Sequence, residues 1–232
     1  MTFSSPAAHP SPNRAWTVLG LAIALFGAPA LTAPPFQALF ERAGSLHGAI
    51  FVGQSCLWLL LALTLCVLVC GERAPLAAIG LVRPRLSSVA TGLAVGVGAY
   101  AVLLSIAFGL MQAGLFDNKQ QSAAVLDWPL WLRLYAALTA GVVEEILYRG
   151  YAIERLTALV GRRWIAALVA ILAFALAHAP FWGLAGVGVP LFGGIFFTAL
   201  YMWRRDLTMC MTAHAFIDVV SLVILPMLVA RP

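Results

Sequence analysis

Two glutamates, two histidines and an aspartate stand inside otherwise apolar sequence, in three separate stretches. The first is Gly141-Val142-Val143-Glu144-Glu145-Ile146-Leu147-Tyr148-Arg149-Gly150, the second Phe174-Ala175-Leu176-Ala177-His178, and the third His214-Ala215-Phe216-Ile217-Asp218. An ionisable side chain inside a membrane span is costly unless paired or hydrated, so each of these is a functional candidate by default. A carboxylate and an imidazole acting together can take a proton from water and return it to a leaving amine, which is the chemistry of peptide-bond hydrolysis.

Spacing divides the labour. On a helix Glu145 and Arg149 lie one turn apart and can form an ion pair, whereas Glu144 points away from them. Glu145 and Arg149 are therefore expected to be structural, and Glu144 is left without a local partner, as a general base requires. His214 and Asp218 are also one turn apart and present two polar groups to one point. Tyr148, one turn after Glu144, is a candidate hydrogen-bond partner for it, and Phe174, one turn before His178, is expected to pack beside the site.

Helices must carry these groups to one place. Gly161, beside Arg162 and Arg163, is the natural turn of a hairpin, with Glu144 seventeen residues before it and His178 seventeen after. At roughly 1.5 Å per residue both then lie at one level, about 25 Å from the turn, where they can share a water. His214 stands only eight residues past Asp206, so the levels match if the hairpin protrudes beyond the membrane surface. The cluster is then expected in the half of the bilayer nearest the basic loops.

The rest of the chain supports such a frame. Of its 232 residues 62% are hydrophobic and 10% charged, well above the apolar share of soluble domains. Apolar runs near 15–33, 49–70, 87–111, 129–148, 164–180, 184–203 and 207–229 suggest seven spans. The expected fold is an all-α, polytopic transmembrane helical bundle, a single membrane domain over 15–232 behind a disordered tail at 1–14. No internal repeat supports a transporter built from paired halves. Cys56, Cys66, Cys70 and Cys210 lie in or beside apolar runs without CxxC spacing and read as small hydrophobes. Trp128, Trp131, Trp182 and Trp203 read as interfacial anchors. Gly186, Gly188, Gly193 and Gly194 read as sites of close helix approach.

The basic residues alternate between loops. Arg14, Arg73, Arg83, Arg85, Arg155, Arg162, Arg163, Arg204 and Arg205 fall on one side, and Arg42, Lys119, Arg133 and Arg231 on the other. The positive-inside rule places the richer side, and with it the N-terminus, in the cytoplasm. The net charge of +5 therefore reports orientation, and no nucleic-acid partner is expected. Arginine dominance and alanine richness point to a bacterial inner (plasma) membrane.

The three motifs, in this order and each in an apolar helix, resemble the CAAX prenyl protease and bacteriocin-processing (CPBP, or Abi) family of glutamate-type intramembrane endopeptidases. The likeness lies in E-E-x-x-x-R at Glu144, Glu145 and Arg149, F-x-x-x-H at Phe174 and His178, and H-x-x-x-N/D at His214 and Asp218, across about 131–225. The stretch Ala78-Ile79-Gly80-Leu81-Val82-Arg83-Pro84-Arg85 also looks like that family's loop before its core. The resemblance implies that Glu144 and His178 activate water and that His214 and Asp218 stabilise the oxyanion, with Glu145, Arg149, Phe174 and Tyr148 in support. Prenyl proteases of the family usually carry Asn where this chain has Asp218, and an ionised Asp cannot donate to an oxyanion. Either burial keeps Asp218 protonated, or it accepts from His214 and fixes that ring's tautomer; the second is the expectation.

The expected activity is hydrolysis of a peptide or membrane-anchored protein near the cytoplasmic face, with the lipid bilayer as surroundings and no cofactor. Prenylation is not expected in a bacterium, so a CAAX substrate is not implied. A metal site built on Glu144, His178 and His214 is the chemical alternative, since His with carboxylate is ordinary zinc or iron ligation, although H-E-x-x-H is absent. A non-proteolytic immunity or scaffolding protein of the same fold is the second functional reading. A proton carrier is the third, disfavoured because the acidic residues converge on one level and form no ladder.

Overall fold

The computed structural model describes residues 14–115 and 125–229, and every regular element among them is helical. The expected tail lies outside the described residues apart from Arg14, as do Lys119, Arg231 and the side chain of Trp182. Helix α1 (Arg14–Ala30) and α2 (Pro34–Glu41) meet at a 62° bend. Pro29 lies in the last turn of α1, and Pro34 and Pro35 are confined to the first turn of a new helix. Helix α3 (Leu46–Cys66) starts at Ser45, whose Oγ accepts from the Gly48 amide, and ends in a π turn at Val67–Gly71. Helix α4 is Leu86–Gln112.

The next rod begins as α5 (Leu130–Thr139), continues as a thirteen-residue π-helical segment, Ala140–Ala152, and finishes as α6 (Ile153–Val160). Gly161 closes it with φ +72°, in the left-handed region where glycine carries no Cβ penalty, and α7 (Arg163–Ala177) returns antiparallel. The expected hairpin turn is therefore where the sequence put it. A kinked α8 (Ala179–Gly186) leads to α9 (Gly188–Arg204). Helix α10 (Leu207–Val219), capped by Asp206 at the Met209 amide, runs through a π turn into α11 (Leu225–Val229).

Among the described residues three helices are long and apolar enough to cross a membrane, Leu46–Gly71, Leu86–Gln112 and Leu207–Met227, or four if the bent α1–α2 pair counts as one. The expected seven are not confirmed. The rod from 130 to 160 carries Arg133, Glu144, Glu145, Arg149, Glu154 and Arg155, while α7 has 15 residues and α9 has 17. The all-helical membrane class stands. The outward faces are apolar, with Phe26, Phe108, Leu138, Trp164 and Ile195 exposed, a surface suited to lipid and not to water. Cys66 and Cys70 lie exposed, whereas Cys210 is buried.

Small residues set the tightest helix contacts. Ser88, Gly92 and Gly96 repeat every fourth position along α4 and are buried, facing α10 so closely that a Cβ on Gly92 would lie 2.6 Å from the Met209 carbonyl oxygen. Of the glycines expected to bring helices together, Gly194 does so, its Cβ position falling 3.2 Å from the Phe174 ring.

A network of polar contacts gathers the helix ends that carry arginine. The Trp16 ring lies on Gly71 and the Tyr151 ring on Gly20. Ser88 donates to Asp206, and the Leu207 amide donates to the Gly80 carbonyl. Arg155 pairs with Glu72 at 2.6 Å, and Glu154 pairs with Arg163 at 3.0 Å and Arg205 at 2.8 Å. The starts of α1, α4, α7 and α10 and the ends of α3, α6 and α9 thus share one end of the bundle. The nine arginines assigned to one side of the sequence all belong to it.

Candidate active site

The π-helical segment, α7 and α10 bring the three motifs together. Glu145 is fully buried, and its Oε1 accepts from Arg149 Nη1 at 2.8 Å and from His214 Nδ1 at 2.8 Å. The expected Glu145–Arg149 pair therefore forms, but Glu145 has a second task in orienting His214. Removing either member would leave an uncompensated buried charge, at a cost of about 3–5 kcal/mol. The guanidinium carbon of Arg149 also lies 4.1 Å from the centroid of the Phe174 ring, a cation–π contact. Phe174 is thus the floor under Arg149 as well as a neighbour of the site.

His214 is held by a stacked ring on one face and by a carboxylate at one nitrogen. The Phe197 ring stacks on it with centroids 4.5 Å apart and planes 20° apart. With Nδ1–H engaged by Glu145, its Nε2 faces Asp218 Oδ2 at 3.6 Å and Glu144 Oε2 at 4.0 Å. Both separations exceed a hydrogen bond. This corrects the expectation for Asp218: the ring's tautomer is set by Glu145, and Asp218 stands beside the opposite nitrogen.

His178 follows the last residue of α7, and its Nδ1 lies 2.8 Å from the Phe174 carbonyl oxygen. A carbonyl only accepts, so Nδ1–H donates and the neutral ring keeps an acceptor lone pair on Nε2. The backbone bond and the place in the site are therefore compatible, the one fixing the tautomer that the other can use.

Glu144 differs from Glu145 in kind. Its side chain is 19% exposed, no guanidinium lies within 4.0 Å of it among the described residues, and it faces a cavity of about 630 Å³. Glu144, His178, His214 and Asp218 line that same cavity with Phe174, while Glu145 and Arg149 lie behind it. Tyr148 does not bond to Glu144. Its hydroxyl is buried without a hydrogen-bond partner among the described residues, and its ring meets Phe174 edge-on at 5.4 Å. The π-helical backbone explains this, because i→i+5 bonding widens the turn and moves the fourth residue out of line. Arg149 is long enough to reach Glu145 nonetheless.

Close backbone approach makes the cluster possible. A Cβ on Gly141 would stand 2.7 Å from the Ala215 Cβ and 2.8 Å from its backbone, so α10 can lie against the π segment only where a hydrogen replaces a side chain. Ala215 is the neighbour of His214, and the contact sets the distance from His214 to the glutamates. Nothing in the sequence singles out Phe197 or Tyr100, which also line the cavity. Ser221 does have a signal, since it lies on the face of His214 and Asp218 at helical spacing and lines the cavity with them. Among the described residues no three His, Cys, Asp or Glu side chains form a group that could hold a metal ion.

The arrangement offers an acceptor carboxylate, an acceptor imidazole and a second imidazole anchored through its far nitrogen, all at the bottom of one mainly apolar cavity. A family model described as Rce1-like, type II CAAX prenyl endopeptidase, matches residues 126–220, which contain all three motifs. No curated protein and no solved structure matches the chain.

Proposed function

We propose, from the match of residues 126–220 to the Rce1-like, type II CAAX prenyl endopeptidase family model, that the chain hydrolyses peptide bonds of a membrane-associated polypeptide using water activated by Glu144 and His178. The observation that carries the proposal is that Glu144, alone of the two adjacent glutamates, faces the cavity without a guanidinium partner. Water between Glu144 and the Nε2 lone pair of His178 gives up a proton as its oxygen attacks the carbonyl carbon. The same carboxyl then returns the proton to the departing amine.

The developing oxyanion needs a donor. His214 supplies one from Nε2 when it carries both ring protons, a state favoured by Glu145, 2.8 Å from Nδ1 and shared with Arg149, and by Asp218, 3.6 Å from Nε2. A donor fixed there before the reaction is worth about 3–4 kcal/mol of barrier. Asp218, 3.6 Å from the same nitrogen, acts in this scheme as a neighbour that orients His214 and not as the oxyanion donor.

The experiment is a survey of membrane-protein termini in cells producing the wild type or Glu144→Ala at equal abundance. New termini present with the wild type and absent with Glu144→Ala, and restored by no other change, are the expected result. Identical termini in both would overturn the proposal and favour the immunity or scaffolding reading, which Asp218 in place of the usual Asn keeps in play. Turnover that survives exhaustive chelation is expected of the metal-free scheme; loss on chelation with recovery on adding a divalent ion would replace it.

A further inference from the structure

The direction in which the cavity runs says from which side a substrate arrives, an inference that rests on the endopeptidase reading and deepens it. Along α10, which leaves the arginine-bearing end, lining residues begin at His214 and continue to Pro226, with none before His214. Along α9, which runs toward that end, they occur from Val189 to Phe197 and no further. Along α4, which leaves it, they lie between Tyr100 and Ala107, well past the first residue, Leu86. Three helices therefore agree: among the described residues the polar groups are the floor, and the cavity runs away from the arginines and opens on the far side.

That end of the bundle is also the one sealed by side chains. Glu72, Arg155, Tyr151, Glu154 and Tyr201 fill it with buried ion pairs and hydrogen bonds, and none of them lines the cavity. A peptide cannot reach Glu144 through it without breaking those pairs. The wall on the open side is apolar, with Leu222, Leu225 and Val189 beyond Asp218.

Nine of the fourteen basic residues sit at the sealed end, which the positive-inside rule assigns to the cytoplasm. We infer that the active site is reached from the extracytoplasmic side, and that its substrate is an extended segment of an exported or membrane-anchored polypeptide with apolar side chains next to the bond cleaved. The expectation of a substrate near the cytoplasmic face does not fit this direction. The depth expected for the cluster is a separate matter, since His214 still lies within the first turns of α10 from the arginine end.

Single cysteines test the inference without requiring catalysis. In a full-length chain with its four native cysteines replaced, Ser221→Cys reports the cavity and Arg204→Cys, exposed at the arginine end, reports the other face. A membrane-impermeant maleimide is applied to spheroplasts and to inside-out vesicles, in wild-type and Glu144→Ala backgrounds. The expected result is labelling of Ser221→Cys in spheroplasts and of Arg204→Cys in inside-out vesicles, with loss of each signal in the opposite preparation and no difference between backgrounds. Labelling of Ser221→Cys from the cytoplasmic face only, or from neither face, overturns the inference, as does labelling of Arg204→Cys in spheroplasts. Correct labelling with no Glu144-dependent termini would instead sink the endopeptidase reading alone.

Discussion

Two regions of this bundle, the arginine end and the cavity floor, use the same side chains to opposite effect. At the arginine end Glu72 meets Arg155 at 2.6 Å and accepts from the Tyr151 hydroxyl, and Glu154 is shared by Arg163, Arg205 and Tyr201. Behind the cavity floor Glu145 has a guanidinium, whereas on the floor Glu144 and Asp218 face open space, with histidine within 4.0 Å and no guanidinium that near among the described residues. A carboxylate whose charge is already compensated holds helices together. One left uncompensated beside a cavity is free to exchange a proton. The chain thus separates stability from chemistry by where it places guanidinium groups, and within the Glu144-Glu145 pair it does so across a single peptide bond.

The contrast can be broken most severely on the floor. Glu144→Gln and His178→Ala are each expected to lower turnover by about 10²–10⁴-fold, and the double variant to fall no further than the worse single, because both act on one water. Effects that multiply would mean that the two residues serve separate steps. At the arginine end Glu72→Gln leaves the buried Arg155 without its counter-charge and turns one of the two acceptor oxygens into a donor, and should cost about 3–5 kcal/mol of stability. Thermal unfolding in detergent reads that loss, and turnover per folded molecule should stay at the wild-type level.

Glu145 belongs to both regimes, and its replacement sharpens the comparison. Glu145→Gln keeps the side-chain volume but removes the charge that balances Arg149 and His214, so turnover should drop by about 10²-fold, the scale of one lost oriented donor, together with a fall in melting temperature. A fall in melting temperature alone would reduce Glu145 to the structural role its spacing suggests. Gly141→Val forces a side chain into the Ala215 contact and should cost about 1–3 kcal/mol by overpacking, with turnover reduced because His214 moves with α10. The smallest effect is expected at Asp218→Asn, where turnover should remain within about tenfold, or roughly 1.4 kcal/mol; a larger change in either direction would give Asp218 a direct part in the reaction.

Much of this was legible in the order of residues. The three motifs, the Gly161 turn with its positive φ and the Glu145–Arg149 pair follow from local spacing, which a helix converts into geometry without help from the rest of the fold. The gathering of arginines at one end follows from alternating loops. What could not be read depends on contacts between distant stretches or on a departure from α-helical periodicity. The Glu145–His214 bond joins positions 69 apart, and its consequence, that Asp218 does not set the tautomer, follows only once the bond is known. The π-helical segment carries no residue pattern that a 3.6-residue period would flag, and it is what turns Tyr148 from Glu144 toward Phe174. The Ser88-Gly92-Gly96 face of α4, which meets α10, was not among the close approaches expected. Seven spans are not confirmed, because the rod that carries the site also carries its charges and α7 and α9 are short.

The central claim is that Glu144 is the uncompensated carboxylate that activates water, and one sample tests it. Purified Glu144→Gln is assayed for turnover of a substrate found among the wild-type-dependent termini, and its melting temperature is recorded alongside. The expected result is a loss of about 10²–10⁴-fold in turnover with a melting temperature within about 2 °C of the wild type, a shift worth less than roughly 1 kcal/mol for a chain of this size. Turnover close to that of the wild type in a protein that melts at the same temperature would contradict it.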